Sequence, residues 1–90
     1  MNNKKREGNN NYMQKKSKKF LELQALRKRC EITQTEMAKL IGCGQGNYSA
    51  KELGSISFSL EECYIIKNTI NKKLEKSGRE PLSMEDIFLR

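Results

Sequence analysis

The sequence predicts an all-α domain, and three observations carry that expectation. Apolar residues recur at spacings of three and four through most of residues 20–90 instead of alternating. Three hydroxyl residues stand three positions before an acid: Thr33 before Glu36, Ser59 before Glu62 and Ser83 before Asp86. Each is the pattern of a helix that opens with a reciprocal cap, in which the hydroxyl and the carboxylate each accept the other's backbone N–H. No stretch has the alternation and flanking turn residues that mark a strand.

The first helix is expected over 18–30, with Phe20, Leu23 and Leu26 on one face and Arg27, Lys28 and Arg29 near its C-terminal end. Cations there suit the helix dipole. The second is expected over 34–41, capped by Thr33, with Met37, Ala38 and Ile41 as its apolar face. Gly42 stops it, being able to adopt positive φ. A third must begin within two or three residues, because Gly44-Gln45 leads into Asn47-Tyr48-Ser49-Ala50 and then to Gly54. Residues 54–59 read as a loop, with Ser57 or Ser59 capping a fourth helix. Leu60, Cys63, Ile66, Ile70 and Leu74 form a stripe that carries this helix to about Lys76. Ser77 to Pro81 ends it, and Ser83 starts a short fifth helix with Met84, Ile87, Phe88 and Leu89. Helix, short turn with glycine, helix is the helix-turn-helix unit, whose second helix is able to enter the DNA major groove.

The stretch from about Phe20 to Phe88 resembles the lambda-repressor-like (Cro/C1, or XRE) helix-turn-helix domain of phage and bacterial regulators. The matching elements are Leu23-Gln-Ala-Leu-Arg-Lys-Arg29, Ile32-Thr-Gln-Thr-Glu-Met-Ala38, Tyr48-Ser-Ala-Lys-Glu-Leu-Gly54, Phe58-Ser-Leu-Glu-Glu62 and Leu82-Ser-Met-Glu-Asp-Ile-Phe88. The resemblance implies a compact five-helix, DNA-binding domain over 18–90. Its function would be sequence-specific regulation of transcription, as a cytoplasmic repressor of phage or mobile-element type. It would read an inverted repeat in double-stranded DNA as a homodimer. A second class stays open, a protein-interaction module on the same fold, such as an antitoxin or inhibitor with little base reading. The chain departs from the pattern at Lys51, where an aliphatic residue is commonest, and at Gly44 and Gly46, which flank Gln45. Some ten extra residues also separate the end of a standard fourth helix, near Ile70, from the fifth.

Within the third helix, Gln45, Asn47 and, one turn on, Ser49 or Ala50 are the expected base-edge residues. Gln and Asn pair with adenine N6 and N7 in the major groove. The resemblance implies that Gln34 contacts phosphate and braces Gln45, and that Tyr48 is a core residue with its hydroxyl at the rim. Arg27, Lys28, Gly44, Gly46 and Lys51 are further phosphate candidates. Glycine costs helix stability at 46 but lets backbone approach a ligand closely. Homodimer contacts are expected from Phe88, Leu89 and Met84, with Ile87 facing inward.

Charge is concentrated at one end. Residues 1–19 hold seven Lys or Arg against Glu7, a net +6, whereas residues 20–90 hold eleven basic and ten acidic side chains, a net +1. With few apolar residues to bury, residues 1–17 are expected to be a disordered basic arm. Its Lys15 and Lys16, together with Lys18 and Lys19 at the junction, would neutralise phosphates without reading sequence. The chain has no His, no C-x-x-C pair and no phosphate loop, so neither catalysis, a metal nor a cofactor is expected. Cys30, Cys43 and Cys63 read as buried, reduced thiols. Neither a secretory signal nor a membrane span is expected, and no small-molecule ligand is evident.

Overall fold

In the computed structural model of the chain, residues 19–89 are described. Among them are five helices and no strand: α1 (Leu21–Arg29), α2 (Gln34–Ile41), α3 (Gln45–Glu52), α4 (Leu60–Lys76) and α5 (Met84–Phe88). The arm expected over 1–17, with Lys15 and Lys16, lies outside the described residues, as does Lys18. No helix among the described residues is long and apolar enough to cross a membrane.

All three reciprocal caps form. At α2 the Thr33 hydroxyl accepts from Glu36 N at 3.0 Å, and Glu36 Oε1 accepts from Thr33 N at 2.8 Å. Ser59 with Glu62 and Ser83 with Asp86 repeat this geometry at α4 and α5. Two helices lack a side-chain cap, α1 after Phe20 and α3 after Gly44. Helix α1 starts three residues later than expected, with Phe20 as its N-cap at φ −90° and ψ 74°.

The ends of α1 to α4 share one device. After each helix a residue at left-handed φ turns the chain, and the next N–H reaches back to a carbonyl five residues earlier. Gly42, Gly54 and Gly78 take that position after α2, α3 and α4, but after α1 it is Glu31, at φ 61°.

Packing joins α2 to α3 and α4, and α5 to α1 and α4. The core comprises Leu23, Leu26, Ile32, Met37, Ala38, Tyr48, Ile66, Ile70, Leu74, Ile87 and Phe88. Phe58 holds three edge-to-face contacts, with Phe20 at 5.4 Å, Phe88 at 5.6 Å and Tyr48 at 6.0 Å between centroids. Such contacts add about 0.5–1.5 kcal/mol each to the burial of the rings.

Several expectations are corrected here. Phe88 is only 5% exposed and sits in that aromatic cluster, so it closes the monomer core instead of facing a partner. Met84 is half-buried against the same core. Leu60 is exposed, so the buried stripe of α4 starts later, at Ile66, with Cys63 partly covered. The three thiols are free and half-buried, not buried. The extra length after Ile70 is used: Leu74 is buried, and Asn71 exchanges two hydrogen bonds with the backbone of Leu82, at 2.8 and 2.9 Å. That pair pins the segment between α4 and α5 to the side of α4.

Candidate nucleic-acid interface

The first turn of α3 presents Gln45, Gly46 and Asn47, all exposed, beyond the three-residue turn Gly42–Gly44. Gly44 has extended φ and ψ and no side chain, so the first N–H groups of α3 lack the acceptor that α2, α4 and α5 each receive. Those N–H groups and the helix dipole make this end electropositive. A Cβ built at Gly44 or Gly46 meets nothing within 4 Å, so packing does not explain either glycine.

Gln45 is held in place by a chain of hydrogen bonds that ends in the core. Its Nε2 donates to Gln34 Oε1 at 2.7 Å, and Gln34 Nε2 donates to Glu52 Oε1 at 3.1 Å. Glu52 is 1% exposed, and the rest of its carboxylate is filled from inside. Arg27 Nε and the Tyr48 hydroxyl each donate to Oε2 at 2.6 Å, and Arg27 Nη2 donates to Oε1 at 3.3 Å. Arg27 Nη1 is taken by the Ile32 carbonyl at 3.0 Å. An ionised carboxylate only accepts, so Glu52 obliges Gln34 to turn its N–H₂ inward and its oxygen outward. Gln45 must then donate to Gln34, which leaves its Oε1 and its second N–H to meet a ligand. An acceptor and a donor side by side match the N6 and N7 edge of adenine.

Glu52 is the residue that sequence reasoning missed. Tyr48 and Glu52 are four apart in α3 and so share its inward face; a carboxylate there signals a buried partner, which is Arg27. This corrects two assignments. Arg27 is 7% exposed with its guanidinium spent on Glu52 and Ile32, so it does not face phosphate. The Tyr48 hydroxyl is not at a rim, because the whole side chain is buried. Burial first, then the hydrogen bond to Glu52, pushes the Tyr48 phenol well above its ordinary range.

Lys51 is corrected as well. Its ammonium donates to Glu62 Oε1 at 2.9 Å and to the Ser57 carbonyl at 3.1 Å, and lies 5.8 Å from the Phe58 ring centre. It ties α3 to the start of α4 and is turned away from solvent. Burial acts to raise the Glu62 carboxyl, but the Ser59 amide and the Lys51 ammonium outweigh it and hold it below the ordinary range. Lys19 and Lys28 are exposed, whereas Ser49 and Ala50 are half-buried behind the first turn. Leu89 is exposed.

Comparison with protein-family models, curated proteins and solved structures found no match. Among the described residues no group of His, Cys, Asp or Glu is placed to hold a metal ion.

Proposed function

We propose that the chain is a sequence-specific DNA-binding regulator with the fold of the lambda-repressor-like family, α2 and α3 forming its helix-turn-helix. Helix α3 enters the major groove, with Gln45 and Asn47 on base edges. The uncapped amides after Gly44 lie against backbone phosphate with Gln34 beside them, and the exposed Lys19 and Lys28 meet phosphates away from that turn. The observation that carries this reading is the bond between Gln45 and Gln34, backed by Glu52. An exposed glutamine is ordinarily free to rotate, whereas this one is presented with fixed donor and acceptor polarity, as base recognition requires.

One α3 spans only a few base pairs, so two copies on an inverted repeat complete the reader. With Phe88 in the core, the face assigned to the second copy is the groove of about 400 Å³ beside α5, where Ile56 and Leu89 stand exposed over Phe20, Phe58 and Phe88. Burying two such side chains against their equivalents is worth a few kcal/mol.

Selection of duplexes from a randomised pool, followed by gel shift across a salt series, tests the reading. Enrichment of one inverted repeat, bound with a steep salt slope, is the expected outcome. A pool that stays unenriched, with weak binding that vanishes when the N-terminal arm is removed, would assign the fold to protein interaction instead.

A further inference from the structure

The C-terminal turns of α1 and α4 line a shared concavity of about 470 Å³, formed chiefly by Arg29, Cys30, Glu31, Lys73, Lys76 and Arg79. Four cations and one carboxylate face a single space. Elsewhere in the described domain, cations that leave solvent are matched: Arg27 by Glu52 and Lys51 by Glu62. The four here are exposed instead, and among the described residues none has an ion-pair or hydrogen-bond partner for its side chain.

The helix dipole accounts for part of this arrangement. Arg29, Lys73 and Lys76 lie in the last turns of their helices, where cations are favoured. It does not account for Arg79, which follows the end of α4. Arg79 is fixed there by its own backbone, whose N–H donates to the Leu74 carbonyl at 2.8 Å. The charges also act on one point. Burial raises the Cys30 thiol, while Lys73, Arg29 and Arg79 each pull it down, so all three are near enough to be felt at that sulfur. Like charges gathered in one concavity repel one another until an anion joins them.

We propose that this concavity binds a phosphate-bearing anion. Arg29 and Arg79 supply planar forks that take two oxygens each, and Lys73 and Lys76 supply point charges. Phosphate of this kind comes either from the backbone of a nucleic acid or from a free polyphosphate compound. The site shares no residue with the first turn of α3 and stands whether or not that turn reads bases.

The test titrates the full chain, isotopically labelled, with inorganic pyrophosphate at constant ionic strength. Saturable amide shifts confined to residues 29–32 and 73–79 are expected. The variant K73Q/R79Q, altered only at exposed side chains, should bind pyrophosphate roughly tenfold more weakly, as two lost charge-assisted contacts imply. A control of equal charge in the arm, K4Q/K5Q, should retain the shifts. Shifts scattered over surface lysines, or equal affinity in K73Q/R79Q, overturn the proposal. Duplex DNA then separates the two sources. A salt slope about 2 units shallower for K73Q/R79Q assigns the phosphates to a DNA backbone. An unchanged slope, with pyrophosphate binding lost, assigns the site to a free polyphosphate. If the chain binds no DNA at all, the groove-reading proposal fails while the pyrophosphate titration still decides this one.

Discussion

Gln34 and Glu52 are eighteen residues apart in sequence and 3.1 Å apart through Nε2 and Oε1. That contact joins two regimes of one domain. On its inner side is a buried ion pair with side chains 8% and 2% exposed, and on its outer side a glutamine bond at the protein surface. Buried ion pairs add little net stability against an apolar replacement, but they are costly to break from one side. The arrangement therefore turns a conformational requirement of the core into a fixed orientation at the surface.

Removing the charge from Glu52 tests both halves. Glu52→Gln leaves Arg27 charged, buried and unmatched, and should cost about 3 kcal/mol in urea denaturation. It also puts an amide where Gln34 needs an acceptor, so discrimination between the best site and random DNA should fall more than non-specific affinity. A loss below about 1 kcal/mol would mean that Arg27 finds water and the pair is not closed.

Gly46 separates stability from binding. A methyl group there meets nothing, so Gly46→Ala should raise the stability of the free protein by up to about 1 kcal/mol. The same methyl would stand between the α3 backbone and a phosphate, so DNA affinity should fall. If stability and affinity both rise, the α3 backbone does not approach DNA closely at this point.

The elements were legible because their signals are local. Caps at Thr33, Ser59 and Ser83 and the stop at Gly42 act within a few residues and fixed α2 to the residue, while the apolar stripe through Leu74 carried α4 to about its observed end at Lys76. The site was legible only in part. Gln45 and Asn47 follow from their place at the start of α3, but the fates of Arg27, Lys51 and Phe88 depend on partners 25, 11 and 30 residues away, Glu52, Glu62 and Phe58. A cation near a helix end reads the same in sequence whether it faces solvent or a buried acid. Glu31 was also illegible, since its φ is imposed by Ile32 entering the core while α1 ends.

Glu31 gives a prediction from that constraint. Left-handed φ costs a residue with a Cβ about 1 kcal/mol, and the three equivalent positions carry glycine. Glu31→Gly should therefore stabilise the domain by about that amount in denaturant titration, despite the freedom it gives the unfolded chain. It also removes the single carboxylate from the basic concavity, so pyrophosphate should bind more tightly. A loss of stability would show that the Glu31 side chain, not its backbone, holds this turn.

Tyr48 sets the behaviour at high pH. Its phenol is raised above the ordinary value of 10.0, because burial and then the Glu52 carboxylate disfavour the phenolate. Folding therefore favours the protonated form. That contribution is intact below pH 10, where the unfolded chain is also protonated, and it declines as pH rises beyond the unfolded value. Tyr48→Phe should cost about 1–2 kcal/mol near neutral pH, since Glu52 loses a donor. Above pH 10 the variant should lose stability less steeply than the wild type, as it has no phenol to ionise there. Denaturant titrations of both proteins near neutral pH and about one unit above that value measure the two slopes. Parallel slopes would mean that the Tyr48 hydroxyl reaches solvent before the domain unfolds.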